Sequence, residues 1–433
     1  MVVGAALCCV AWLFPGQHLE ASPFDTYGVG SEAVAMGGAF TAAARGADAV
    51  YYNIAGVAAT EGGELRLGFS SSRRWFHVGA ADSRRDWLNA FQLSLAMPVP
   101  LGTLLRERVY FGLVAHLPTS ELLLVELPDD RAPSFGLIDE QTRRLVVMGG
   151  LAVRVLDWWS LGIGLSLLPD VDAAVAVDLT GVGGLNEASI TVDYSLSLIA
   201  GTTLRPLPWL GVGLSYRAGN HTQVELSPVR VDVASNLDPV RTNISAPAYA
   251  TPHQVALGLE LVPLPSLRVV TDLTWCGYGE WQQATPSVSL CAACPRDCSN
   301  GDCPAYCTSG ACERLFEDRP SEQELSDTFS PRVGVEWRLL ESLALRGGYG
   351  FVPTPIPRQT SGTNLLDGDR HILSTGLGYR REDLGEYLPG ALRIDAHLQV
   401  QWMPRRVAEK AVADADGDGS PDLYMAPEPS GAQ

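Results

Sequence analysis

The densest group of reactive side chains in this 433-residue sequence is a set of seven cysteines in one stretch. Close spacings such as Cys291-Ala-Ala-Cys294 can hold zinc or an iron–sulfur cluster. Clustered cysteines behind a secretory signal more often form disulfides, and a segment this polar has no core of its own to order it. The sequence therefore predicts disulfides, with at least one thiol unpaired or paired to another chain because seven is odd. The disulfide candidates are Cys276, Cys291, Cys294, Cys298, Cys303, Cys307 and Cys312.

An acidic segment near the C-terminus matches the first half of a calcium-binding loop. Carboxylates stand at loop positions one, three, five and nine, and Gly419 stands at position six, where the turn is sharp. Position twelve, which normally supplies a bidentate Glu, is Met425. Calcium binding and a solvated acidic loop both stay open, and no other cofactor is indicated. The candidate calcium ligands are Asp414, Asp416, Asp418 and Asp422.

No catalytic constellation accompanies these groups. The seven histidines are scattered along the chain, and His397 has the spacing of a hydrogen-bonded strand residue rather than that of a general base. We therefore predict that the chain is not an enzyme. The formal net charge of −18 argues against a nucleic-acid partner, because phosphate binding requires a basic surface.

The elements that position these groups are predicted to be β-strands. From Glu64 onward, apolar residues alternate with small or polar ones, and successive strand side chains point to opposite faces of a sheet. Segments of roughly ten residues suit tilted strands that cross a bilayer. About thirteen such segments occur, near residues 63–71, 90–98, 108–117, 145–156, 159–169, 188–204, 209–218, 252–262, 266–277, 330–339, 342–351, 370–380 and 391–403.

The connections between these strands alternate between short and long. Short ones fall near 156–158, 205–209, 262–265 and 340–341, and long ones near 118–144, 219–251, 278–329 and 352–369. Outer-membrane barrels have short periplasmic turns and long external loops, whereas a soluble sandwich has no reason to sort its loops in this way. We predict an all-β fold, a transmembrane antiparallel β-barrel over residues 63–403 in the outer membrane of a Gram-negative cell. A soluble barrel or sandwich is the alternative.

The two faces of such a barrel have different chemistry. Leu257, Leu259, Val335, Trp337, Leu398 and Val400 are predicted to face lipid. The charged residues predicted to line the lumen are Arg66, Arg154, Asp193, Arg217, Glu260, Arg268, Asp272, Arg346, Arg393 and Asp395. Both signs are present, so ion pairs across the lumen are expected rather than a one-signed ion channel.

The residues before the first strand do not alternate. An apolar run from Val2 to Phe14 and the small Ala21 predict a signal peptide over residues 1–21, with a buried N-terminal helix as the alternative. Residues 22–62 are rich in Ala and Gly, which suits a short, closely packed unit of helices and turns. A wide barrel needs something to fill it, and a compact segment inside the lumen is one solution.

Two motifs in residues 22–62 resemble a known family. Gly30-Ser-Glu-Ala-Val-Ala-Met-Gly-Gly-Ala-Phe40 and Asp48-Ala-Val-Tyr-Tyr-Asn-Ile-Ala-Gly56 are similar to the N-terminal hatch of the FadL/TodX outer-membrane transport family. The resemblance implies a barrel of fourteen strands, plugged by a hatch over residues 22–62. The family's Asn-Pro-Ala is Asn53-Ile54-Ala55 here, which removes a fixed φ and adds an N–H donor. The residues that carry the hatch motif are Met36, Gly37, Gly38, Ala39, Phe40, Asn53, Ile54, Ala55 and Gly56.

The resemblance implies passive uptake of hydrophobic small molecules such as long-chain fatty acids, because that family takes up fatty acids and aromatic hydrocarbons. An apolar run in the long connection 118–144 is a candidate ligand groove, since such a run is unusual in a loop that faces water. Its residues are Leu122, Leu123, Leu124, Val125 and Leu127, and a loop-packing cluster is the alternative. The expected partners are a hydrophobic ligand, outer-membrane lipid and lipopolysaccharide, around a monomer. The alternative function is that of a PorV-like scaffold or secretion-partner barrel without transport activity.

The end of the chain leaves the strand count odd. Thirteen strands are visible, and bacterial barrels have even numbers. Residues 404–433 are acidic and Pro-rich, so we expect an external loop that precedes a missing last strand in a truncated chain. The alternative is direct pairing of the first and thirteenth strands.

Overall fold

The thirteen predicted segments form one continuous antiparallel sheet in which each strand pairs with its neighbour. The structure is a computed structural model. It describes residues 27–78, 81–84, 87–102, 107–119, 145–176, 187–231, 240–280, 287–292, 313–318, 325–358, 367–382 and 390–407. The strands of this sheet are β1 (Glu64–Ser72), β4 (Leu88–Pro98), β5 (Val109–Pro118), β6 (Val146–Leu156), β7 (Trp159–Ala176), β8 (Glu187–Leu207), β9 (Leu210–Arg217), β12 (Gln254–Leu264), β13 (Leu267–Cys276), β16 (Thr328–Leu340), β17 (Leu343–Val352), β18 (Arg370–Arg381) and β19 (Leu392–Trp402).

The connections sort into two ends, as the sequence predicts. Two-residue turns join β6 to β7, β8 to β9, β12 to β13 and β16 to β17, all at one end of the sheet. The long connections lie at the opposite end. We call these the turn end and the loop end. Strands β1 and β19 are the two ends of the strand order, and the described residues record no ladder between them.

The outward face of the sheet is apolar because every second side chain points away from the lumen. All six residues predicted to face lipid are solvent-exposed, from 37% for Leu259 to 65% for Leu398, which confirms the predicted face. The alternate positions on the same strands are buried and polar, as with Glu260 and Glu336. In a bilayer this exposed band contacts hydrocarbon instead of water.

The long connections contain strands that the sequence analysis missed. The segment 278–329, predicted as a loop, holds a 3₁₀ helix (Tyr278–Glu280), β14 (Ser287–Ala292) and β15 (Glu313–Asp318), and β16 begins at its end. With β10 (Asn220–Val231) and β11 (Val240–Thr251), β14 and β15 form a four-stranded sheet in the order β10-β11-β14-β15. A separate hairpin joins β2 (Trp75–Val78) to β3 (Ala81–Arg84). The β10–β11 and β14–β15 ladders each lie within one connection, and the β11–β14 ladder joins the two connections into one sheet.

The core lies inside the sheet, around residues 27–60, which we call the N-terminal segment. It contains α1 (Ser31–Ala35), α2 (Ala49–Tyr52) and a 3₁₀ helix (Ile54–Ala59), and nearly all its residues are buried. The largest hydrophobic cluster joins Phe40, Tyr51 and Ile54 of this segment to wall residues such as Val114 and Met148. Among the described residues, no helix is long and apolar enough to cross a membrane.

Candidate functional site

The N-terminal segment contacts all thirteen strands of the large sheet. Hydrogen bonds, ion pairs and close approaches to inward-facing glycines reach it from β1 at one end of the strand order to β19 at the other. A sheet whose every strand contacts one segment from the same face must curl around it. The candidate site is therefore the interface between the N-terminal segment and the inner wall.

Met36, Gly37 and Gly38 form a tight turn that lies directly on the wall. Gly37 and Gly38 have φ of 69° and 78°, a conformation that side chains with a Cβ rarely adopt. The backbone of Met36 lies so close to Gly334 of β16 and Gly348 of β17 that a Cβ at either glycine would clash with it. Glycine on both surfaces is therefore what allows the two backbones to approach each other.

After this turn, Phe40 and Thr41 bind the buried carboxylate of Asp272 on the wall. Asp272 on β13 accepts hydrogen bonds from the backbone N–H groups of Phe40 and Thr41, each at 2.8 Å between nitrogen and Oδ2. Phe40 and Thr41 are both buried, so leaving their N–H groups unpaired would be costly. Asp272 therefore fixes the centre of the N-terminal segment to the wall.

The second motif uses Asn53 in the same way. Its side-chain Nδ2 donates to the carbonyls of Thr41 and Thr202, both at 3.0 Å, while its Oδ1 accepts the N–H of Ala55 at 3.2 Å. Asn53 is completely buried, so these bonds satisfy an amide that has no solvent. One side chain thus links the two motifs to each other and to β8.

Ile54, where the family motif has Pro, packs as an aliphatic anchor. Its side chain lies against Gly150 on β6 and against Gly162 and Gly164 on β7, where any Cβ would meet Ile54 atoms below 3 Å. The residue is 2% exposed and begins the 3₁₀ helix. The extra volume of Ile54 is therefore accommodated by glycines on the facing strands.

A buried ion-pair network holds the other end of the segment. Glu32 in α1 accepts from Arg268 through Oε1 and from Arg393 through Oε2, each at 2.5 Å. Arg268 also bonds Glu336 at 2.9 Å, and Arg346 bridges Glu336 at 2.7 Å to Asp395 at 2.6 Å. These charges come from β13, β16, β17 and β19, near the turn end. Burial disfavours the charge on Glu32, but Arg393 and Arg268 outweigh that effect and keep the pKa of Glu32 well below its ordinary value.

Other charged groups pair across the same interface. Arg66 on β1 bonds Asp48 at 2.6 Å, and Arg45 bonds Glu260 on β12 at 2.8 Å. Arg154 donates to the carbonyl of Ala58, and Arg217 lies over the ring of Tyr51 at 4.4 Å.

Of the ten charges predicted to line the lumen, Asp193 is outside the described side chains, and the other nine all contact the N-terminal segment or its ion-pair network.

Several residues predicted to form functional sites do not belong to this interface or lie outside the described residues. Leu122 to Leu127 and Asp414 to Asp422 lie outside the described residues, so the ligand groove and the calcium site stay predictions. Among the seven candidate cysteines, only Cys276 has a described side chain; it is buried at the loop end of β13, and Cys291 lies on β14. The disulfides therefore stay predictions as well. The hatch-motif residues, by contrast, are all buried or half-buried in the N-terminal segment, and Met36, Gly37, Phe40, Asn53 and Ile54 contact the inner wall directly.

Comparison with known proteins identifies a family that matches this chain and solved structures with a similar fold. The family profile described as "Outer membrane protein transport protein (OMPP1/FadL/TodX)" matches residues 20–410. The chain is similar to the crystal structure of a Pseudomonas aeruginosa FadL homologue, with 15% identity over 91% of this chain and 93% of that chain and a TM-score of 0.54. It is also similar to the Ralstonia pickettii toluene transporter TbuX, with 16% identity over 88% of this chain and 100% of that chain and a TM-score of 0.52. Sequence comparison with curated proteins finds no match.

Proposed function

The chain belongs to the OMPP1/FadL/TodX family of outer membrane transport proteins, and from that premise we propose that it carries hydrophobic small molecules passively across the outer membrane of a Gram-negative cell, with residues 22–62 as its hatch. The observation that carries the proposal is the contact of the N-terminal segment with all thirteen strands. A solute that crosses the lumen of such a barrel has to displace part of this segment. The barrel is therefore a gated path rather than an open pore.

The contacts between the N-terminal segment and the wall are of kinds that can separate and form again, which supports a hatch that moves. Its polar contacts are hydrogen bonds and ion pairs between groups that water can solvate once they separate, such as Arg66 with Asp48. Its close approaches place backbone or single side chains such as that of Ile54 against glycines of the wall, so large side chains do not interlock at these points. A segment held in this way can shift without unfolding the wall, whose ladders do not depend on it.

Ligand chemistry is the finer part of the proposal. One similar protein is a toluene transporter and another is a FadL homologue, so aromatic hydrocarbons and long-chain fatty acids are both candidates. Lipopolysaccharide blocks direct partition of such molecules into the membrane, so they need a protein path across it. We propose a channel without enzyme activity, acting as a monomer, and we propose long-chain fatty acids as its ligands.

The test is uptake by intact Gram-negative cells that lack a barrel of this family and express this chain. Radiolabelled oleate and toluene are the two probes, and an unrelated porin expressed at the same level is the control. Faster uptake of either probe than in the porin control supports transport, and a preference for oleate supports the fatty-acid assignment. Uptake equal to that of the porin control for both probes would reject the proposal and leave the scaffold or secretion-partner alternative.

A further inference from the structure

Two wall arginines converge on a single carboxylate of the N-terminal segment. The Nη2 atoms of Arg268 and Arg393 lie 2.5 Å from the two separate oxygens of Glu32. Arg268 is on β13 and Arg393 on β19, so both arginines belong to the wall. Glu32, which they bind, belongs to the N-terminal segment. This is the arrangement by which arginines recognise a carboxylate, with one charge-assisted bond to each oxygen.

The charges of this network balance only while Glu32 is in place. Among the ion pairs of 2.9 Å or less that connect to Glu32, Arg268, Arg346 and Arg393 contribute three positive charges, and Glu32, Glu336 and Asp395 contribute three negative ones. Glu260 lies farther from Arg268, at 3.8 Å, and pairs more closely with Arg45, at 2.8 Å. Without Glu32 the wall retains three positive and two negative charges, a net of plus one. The side chain of Arg268 is 7% exposed and that of Arg393 is 34% exposed. Arg268 would keep Glu336 and Arg393 would keep Asp395, but excess positive charge at a largely buried site is unfavourable, so the emptied position would attract an anion.

We propose that Arg268 and Arg393 form a carboxylate-binding site in the lumen, and that Glu32 occupies it as an internal ligand when the hatch is closed. A hydrophobic molecule with one carboxylate takes the place of Glu32 as the hatch moves. The exchange keeps both arginines neutralised in the open state, so carboxylates open the hatch more readily than uncharged molecules of the same size.

The site deepens the proposed transport function and rests on it for its purpose, but its binding chemistry can be measured separately. Met36 lies beside it, with its sulfur 3.8 Å from Arg268 Nη2, so movement of the Met36–Gly38 turn would accompany release of Glu32. The site lies at the turn end of the strands, among the last residues that a molecule travelling from the loop end would meet.

The test compares octanoate with 1-octanol, two soluble probes of equal chain length, by titration calorimetry on the full-length protein in detergent. Glu32→Gln removes the internal carboxylate charge and is expected to tighten octanoate binding about tenfold relative to octanol. Asp48→Asn is the matched control, because it removes another buried carboxylate of the same segment but leaves Arg268 and Arg393 occupied. Its octanoate-to-octanol ratio is expected to stay within about twofold of the wild-type ratio.

Adding Arg393→Gln to Glu32→Gln is expected to abolish the gain for octanoate. If the octanoate-to-octanol affinity ratio is unchanged in Glu32→Gln, Arg268 and Arg393 do not form a carboxylate-binding site. Equal changes of this ratio in Glu32→Gln and Asp48→Asn would also reject the proposed site.

If Glu32→Gln fails to fold, hydrogen exchange in the wild-type protein decides the matter. Octanoate, but not octanol, is expected to speed exchange of the backbone N–H groups of α1, and equal effects of the two would reject the site. Failure of all cellular uptake would reject the transport function, while the binding ratios would still test the site.

Discussion

The side-chain amide of Asn53 donates to the backbone carbonyl of Thr202 across 3.0 Å, joining residues 149 positions apart. Asn53 belongs to the N-terminal segment and Thr202 to β8, so the bond crosses the boundary between this segment and the wall. The same amide also bonds the carbonyl of Thr41. The position of the second motif is therefore coupled to that of the first.

Replacing Asn53 with Ala is expected to loosen the hatch. The change removes three hydrogen bonds and leaves the buried carbonyls of Thr41 and Thr202 without this donor, a loss of about 1–3 kcal/mol. Single-channel recording in planar bilayers should show more frequent openings to small ions. Thr60→Ala is the control, because the described hydroxyl bond of Thr60 stays within the segment at the Val57 carbonyl. Equal opening frequencies in wild type and Asn53→Ala would contradict this role.

The neighbouring glycines 347 and 348 are expected to respond differently to enlargement. A Cβ at Gly348 would meet the backbone of Met36 and Gly37, whereas a Cβ at Gly347 meets nothing closer than the carbonyl of Ser374 at 3.9 Å. Gly348→Leu should therefore displace the hatch, at a cost of about 1–3 kcal/mol, and Gly347→Leu should not. Limited proteolysis of residues 27–60 in the folded barrel measures this difference. Similar cleavage of the two variants would speak against the proposed packing.

The lipid face is tested by two adjacent residues at nearly the same depth. Leu398 is 65% exposed on the outer face, while Gln399 points inward and its Nε2 donates to Ser374 Oγ at 3.4 Å. Arginine facing lipid near the bilayer centre costs about 2–4 kcal/mol, so Leu398→Arg should reduce folding into vesicles more than Gln399→Arg. The folded fraction is read from heat-modifiable migration on gels. Equal folded fractions would mean that the faces are assigned wrongly.

The ion pairs of Glu32 predict how acid affects the hatch. Because the pKa of Glu32 is lowered in the folded state, its contribution to docking is fully present above the ordinary carboxyl pKa of about 4.3. It is lost as pH falls through the lower folded pKa. Wild-type channel activity should therefore stay constant from pH 7 to about 5 and rise only below about 4. Glu32→Gln should lack this acid step, and a step of equal size in both proteins would assign it to another group.

The sequence predicts most of the barrel because alternation is a local signal. All thirteen segments match observed strands to within a few residues at most boundaries, and the main discrepancy is β7, which was predicted to end near residue 169 and continues to Ala176 at the loop end. The family resemblance, based on residues 30–40 and 48–56, is confirmed by the family match. The sheet β10-β11-β14-β15 was missed: its β11–β14 ladder joins two connections that are far apart in sequence, and the hairpins β10–β11 and β14–β15 lie in segments predicted as loops.

The hatch contacts could be predicted only in part. The lumen charges follow from the inward face of each strand, but their partners do not, because Glu32 and Arg393 are 361 positions apart. The inward glycines alternate with apolar residues and indicate a strand face, yet nothing local identifies Gly334 and Gly348 as the surface beneath Met36. Only the curvature of the sheet brings such residues together.

Whether movement of the N-terminal segment gates hydrophobic uptake can be measured with a reversible covalent lock. A Cβ built on Gly258 of β12 lies 2.9 Å from the Cβ of Thr41 and 2.6 Å from both Ala42 N and Asp272 Oδ1, so the double variant Thr41→Cys, Gly258→Cys forms a disulfide only if the segment shifts by about 1 Å. Uptake by the reduced double variant is therefore first compared with that of the wild type, because the new side chain alone displaces neighbouring atoms. Uptake of radiolabelled oleate is measured in intact cells after oxidation and again after reduction, with the wild-type protein treated in parallel because of its native cysteines. If the segment has to move for uptake, oxidation stops uptake in the double variant alone and reduction restores it. Equal uptake by the locked and reduced forms would contradict the claim.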